Sequence, residues 1–221
     1  MGRILFRLAA YSVLVVSGAL IIWTSRLYFL DPIRVHFLME RPALAADKLW
    51  RGLLAIHVAG GVGCLAALLV ASATAWNSRW KIAHRWSGRF YAVIVLVLLC
   101  PTGLLLSAYA KGGFAGKFGF FLLSVLTFVF TWQGTRYAIE QNFVEHRKWM
   151  TRSMAMVASA MTFRLAQIGL SQFDINPDSN YIASLYISTF GNWLAAEVWM
   201  GTSFSIARTS LFQSKVLETE S

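Results

Sequence analysis

Four histidines, three arginines and one glutamate are the residues of this chain whose type and position could do chemistry. His84 and His146 stand where basic, tryptophan-bearing stretches meet apolar runs, in Trp80-Lys81-Ile82-Ala83-His84-Arg85-Trp86 and Asn142-Phe143-Val144-Glu145-His146-Arg147-Lys148-Trp149. Two imidazoles at one membrane depth on neighbouring helices can serve as axial ligands of a b-type haem or hold a transition metal. Arg89 and Arg152, shortly inside the following helices, could neutralise haem propionates or orient a quinone. The plainer alternative is that each histidine bonds a polar group at the membrane edge. His57 leads into Val58-Ala59-Gly60-Gly61-Val62-Gly63, where small residues let a second helix or a flat macrocycle approach the backbone. As an outer cofactor ligand it has His36, in a loop, as its partner.

A helix rise of about 1.5 Å per residue and a hydrocarbon core of about 30 Å turn position into depth. His57 then lies about 8 Å in from the outer face, and Arg164 on a helix of opposite direction lies about 8 Å from that same face. The two can share a layer. An arginine there calls for a carboxylate, a carbonyl, an anionic ligand or a lipid phosphate, or else it snorkels to the headgroups. Glu197, roughly 6 Å from the inner face, shares its depth with Arg89 and Arg152. An ion pair is its economical explanation, with a proton relay or an inner gate as the functional one.

The elements that carry these residues follow from composition. The chain is 57% hydrophobic and 14% charged with a mean hydropathy of +0.56, too apolar for an ordinary soluble domain. It reads as one all-α, polytopic transmembrane bundle, residues 1–221, with about six spans at 5–29, 52–75, 86–110, 118–140, 149–172 and 181–207. A retained first helix fits residues 5–29 better than a cleaved signal, because no small-residue cleavage site follows it. The segment 31–51, with Pro32 and Pro42, reads as a folded cap, and 209–221 as a loose end.

The net charge of +10 sits in the short connections and reads as topology rather than nucleic-acid binding. With the termini cytoplasmic, that side receives twelve Lys and Arg and the other seven, leaving Arg164 aside within its span. This predicts a multi-pass protein of a bacterial inner membrane, surrounded by lipid. Cys64 and Cys100 lie inside apolar runs and read as packing residues. No Walker, HExxH, GxSxG or CxxC pattern occurs, which disfavours ATP-driven transport, zinc proteolysis, serine hydrolysis and dithiol exchange. The two His-Arg stretches suggest a parallel repeat of two helix pairs, and Pro101 with Gly103 suggests a kink in the third helix.

The ordered set Gly52-Leu53-Leu54-Ala55-Ile56-His57-Val58-Ala59-Gly60-Gly61, His84-Arg85-Trp86-Ser87-Gly88-Arg89-Phe90-Tyr91 and His146-Arg147-Lys148-Trp149-Met150-Thr151-Arg152-Ser153, with Thr162-Phe163-Arg164 beyond, resembles the bacterial membrane family catalogued as domain of unknown function 2306. The resemblance covers about residues 48–170. It implies an integral-membrane protein and brings no reaction with it. The two-sided histidine layout also resembles transmembrane b-type cytochromes, departing from them in placing His84 and His146 at helix edges.

Four functions are consistent with these residues. The first is a redox component with haem b or quinone held by His84, His146 and His57, assisted by Arg89 and Arg152. The second is a carrier or binding protein for a small amphipathic or anionic molecule, with Arg164 and His57 as an outer site and Glu197 at an inner gate. The third is an integral-membrane enzyme acting on a lipid, with His and Glu as acid and base. The fourth is an assembly subunit without chemistry. No metal site is expected.

Overall fold

The computed structural model describes residues 41–219 apart from 76 and 77, with side chains as far as Gly201 save Ser78, together with isolated positions between Val15 and Met39. The span expected at 5–29 and His36 therefore lie outside the continuously described residues. Within them the chain is all-helical: α1 Pro42–Ala46, α2 Lys48–Thr74, α3 Lys81–Ser107, α4 Gly113–Ile139, α5 Phe143–Leu170 and α6 Pro177–Thr219. Three of these, α2, α3 and α4, are long and apolar enough to cross a membrane. The 28 residues of α5 and 43 of α6 also exceed, at about 1.5 Å each, a core of about 30 Å. α6 stays helical to Thr219, so the end read as loose from 209 begins as its continuation.

Each helix begins four to six residues before the corresponding expected span, because the starts lie in the polar flanks rather than at the edge of the apolar run. The Asp47 carboxylate accepts from the Leu49 and Trp50 amides at the head of α2, and the Asn142 side chain accepts from the Glu145 amide at the head of α5. The turn into α4 uses Gly112 and Gly113 at φ +82° and +61°, a backbone region that side chains disfavour. The cap expected over 31–51 appears in part as α1, whose Leu44 and Ala45 pack on buried Trp50 beside Leu54 and Leu106. Arg41 donates to the carbonyl of Tyr109 and ties α1 to the α3–α4 turn.

At the centre of the bundle Cys64, Leu65 and Leu68 of α2 meet Tyr91, Val95 and Cys100 of α3 and Val157 and Met161 of α5. Both cysteines are free and buried, as small packing residues are. Beside them runs a chain of buried hydroxyls whose proton order can be deduced. Thr131 donates to the Thr127 carbonyl at 2.7 Å, so its oxygen accepts from Ser153 at 2.6 Å, and Ser153 accepts from Tyr91 at 2.7 Å. This ties α3, α5 and α4 together at one depth. Ser153→Ala strands a buried Tyr91 donor, whereas Tyr91→Phe strands only an acceptor. Thermal unfolding in detergent should rank Ser153→Ala as the more damaging, by about 2 kcal/mol against about 1; the reverse order would refute the assigned direction.

α5 and α6 meet along a polar seam. Asn192 donates to the Ala155 carbonyl and to Ser159 and Thr162, and Ser159 donates to the Ser188 carbonyl. Small and hydroxylated residues let these helices approach closely where apolar burial supplies little driving force between them.

Candidate functional site

The three described histidines are held in the same way but in two places. His84 Nδ1 donates to the Ala71 carbonyl at 3.0 Å, and His146 Nδ1 donates to the Gly134 carbonyl at 2.8 Å. Each is the fourth residue of its helix and clamps the last turns of the helix before it. The likeness of the two hairpins goes further: Arg89 lies over Trp86 at 5.4 Å and Arg152 over Trp149 at 4.8 Å, each pair three residues apart. α2–α3 and α4–α5 run in the same directions and close at the same end, which is the geometry of the expected parallel repeat.

At that end the two arginines diverge. Arg152 reaches across to α6 and forms a two-point ion pair with Glu197, Nε to Oε1 at 2.5 Å and Nη2 to Oε2 at 2.9 Å, while Trp193 Nε1 donates to the same Oε1 at 2.9 Å. Phe130 packs between Trp149 and Trp193 beneath it. Arg89 stays on the bundle surface with Trp86. Glu197 thus meets Arg152, and neither it, Arg89, His84 nor His146 lines the cavity described next.

The opposite end holds a cavity of about 640 Å³ between α2, α3, α4, α5 and α6, in the size range of small-molecule sites. His57 and Arg164, placed in one layer by depth alone, both line it. Its walls are apolar, with Leu65, Val157 and Leu185 among them, and an aromatic trio of Phe120, Phe163 and Tyr181 in mutual edge or tilted contact at 5.3–6.0 Å. Lys111, from the α3–α4 turn, adds a second cation, and none of the described lining residues is Asp or Glu. Arg164 donates to its own helix at the Ala160 carbonyl, 2.7 Å, and no carboxylate among the described residues pairs with it. A guanidinium has five N–H donors, and this exposed one keeps most of them open to water, a lipid headgroup or a bound anion.

The His57 ring is fixed by a local feature of α3. Residues Ile94–Leu99 wind as a π-helix just ahead of Pro101, where an ordinary turn would lack a backbone donor. The expected irregularity at Pro101 takes this form. Thr102 donates to the Leu98 carbonyl at 2.5 Å, and His57 Nδ1 lies 3.1 Å from the Leu99 carbonyl and 3.0 Å from Thr102 Oγ1. A carbonyl can only accept, so Nδ1 carries the proton and the neutral ring presents Nε2 as a lone-pair acceptor. Thr102, Gly103, Lys111 and Ser124 are the site residues that the sequence reading passes over; the nearest signal to them is the Pro101-x-Gly103 irregularity.

The family model described as a predicted membrane protein, DUF2306, matches residues 54–207. The chain belongs to this family. No curated protein and no solved structure matches it. The family match extends beyond the expected 48–170 to take in α6, so the DUF2306 region holds both the His57–Arg164 cavity and the Arg152–Glu197 pair, while α1 and Trp50 precede it.

Proposed function

We propose that this DUF2306 protein binds an amphipathic anion within the membrane, as a carrier or binding protein, with the charged group at Arg164 and Lys111 and the apolar body between the aromatic trio and His57. The observation that carries this reading is the charge pattern of the cavity: apolar walls, Arg164 with no carboxylate partner among the described residues, and no Asp or Glu among the described lining residues. Buried apolar area supplies affinity for the body, and the exposed Arg164 guanidinium offers paired donors that favour carboxylate or phosphate over neutral heads. With the charge bias setting both termini in the cytoplasm, the cavity faces the outer side. The haem and quinone reading draws less support from the cavity, since neither His84 nor His146 lines it; their Nδ1 bonds to the Ala71 and Gly134 carbonyls fix the rings and leave each Nε2 open to a ligand.

The test uses the full chain purified in a mild detergent and 11-(dansylamino)undecanoic acid as probe, followed by dansyl fluorescence. Arg164→Gln is expected to weaken binding about tenfold or more, while Arg85→Gln, an exposed position at the other end, leaves it as in the parent. Equal binding by the parent and Arg164→Gln, or none by either, would overturn the reading.

A further inference from the structure

Deep in the cavity two polar groups have no partner among the described residues. His57 Nε2 makes no hydrogen bond, its ring being held through Nδ1, and the Ser124 hydroxyl of α4 makes none either. Both residues line the cavity. Both lie near one point of α3: a methyl group at Gly103 would lie 2.8 Å from Ser124 Oγ, 3.2 Å from His57 Cε1 and 3.7 Å from His57 Nδ1. Gly103 therefore keeps open the space between the Ser124 hydroxyl and the edge of the His57 ring. Both atoms are open to the cavity, so a molecule bound there can pair with them.

One group of atoms meets both demands: a hydroxyl donates its proton to an imidazole nitrogen while its oxygen accepts from a serine. A carboxylate has no proton to give Nε2, and a methyl end satisfies neither partner. Resting on the anion-binding reading above, we infer that the bound molecule is a hydroxylated amphipathic anion, its charge at Arg164 and Lys111 and its hydroxyl between His57 Nε2 and Ser124 Oγ. His57, Ser124 and Gly103 then determine specificity, and Leu99 with Thr102 set the tautomer that makes His57 an acceptor.

The test is competition against the dansyl probe by straight-chain carboxylates of eight, twelve and sixteen carbons, each with and without a terminal hydroxyl, on the full chain in detergent. At the chain length that spans the two poles, the hydroxy acid should bind about tenfold more tightly than its plain counterpart, the worth of one or two net hydrogen bonds. Ser124→Ala, a small change in volume, should bring that ratio close to one, and Gly103→Ala should do the same by filling the gap. Size-exclusion elution at the parent position shows that the variants are folded. If plain acids bind in an Arg164-dependent way and no length shows a hydroxyl preference, this inference falls and the anion-binding reading stands. A preference that survives in Ser124→Ala also overturns it. If no acid competes, both fall together.

Discussion

Glu197→Ala is expected to lower the stability of the protein by about 1–2 kcal/mol, between the values for an exposed and a buried ion pair. The intermediate value applies because the Glu197 side chain keeps 40% of its surface accessible, against 20% for Arg152. What remains is a guanidinium at membrane depth beside the Trp149 ring, within electrostatic reach of Glu145, and a Trp193 N–H without its acceptor. Replacing both members should be much milder: Arg152→Leu with Glu197→Leu removes the charge and its desolvation cost together, and should recover most of the loss. Thermal unfolding of the full chain in one detergent gives the ranking. A double variant as unstable as Glu197→Ala would mean that the pair stabilises the fold in its own right, contrary to the argument.

The second large effect belongs to Gly116. A Cβ there would sit 1.7 Å from the carbonyl oxygen of Lys111, a backbone atom in the α3–α4 turn that cannot move without the turn. Gly116→Ala should therefore cost about 3 kcal/mol, at the upper end for overpacking, and it should displace Lys111 and Tyr109 from the mouth of the cavity. Gly134→Ala is the control. Its Cβ would meet Met150 Sδ at 2.6 Å, but that is the far part of a flexible side chain, with the nearest backbone atom at 3.3 Å. The expected order is a clear loss of folded yield and melting temperature for Gly116→Ala and a small one for Gly134→Ala. Parent-like melting of Gly116→Ala would refute the close approach.

The architecture was legible because apolar runs and helix rise are both one-dimensional. Antiparallel helices of fixed rise put His57 and Arg164 in one layer, and both residues line one cavity. Depth alone could not choose between Arg89 and Arg152 as the partner of Glu197; α5 packs along α6 and α3 along α2, so neighbourhood decides it for Arg152. The helix starts came out late because composition marks the membrane edge, while a helix starts at its cap, Asp47 or Asn142, one turn further out. His84 and His146 do stand at helix starts, within the first turn, and what composition could not show is that they bond backwards to Ala71 and Gly134. Ser124 was out of reach: a serine in an apolar helix usually bonds its own backbone, and only the fold shows that this one faces the cavity beside Gly103.

The polar seam between α5 and α6 has a consequence for how the chain enters the bilayer. α2, α3 and α4 are apolar enough to partition one at a time as they emerge. The other two carry Arg152, Arg164 and Glu197, together with the Ser159, Thr162, Ser188 and Asn192 contacts, and are poor substrates for insertion by hydrophobicity alone. Their polar groups are matched mainly by each other, and the earlier helices supply the remaining wall. The sequence thus favours an order of insertion: an apolar hairpin and a half form first, and the last two helices enter with Arg152 and Glu197 neutralising each other and Arg164 still charged, against a surface already waiting for them.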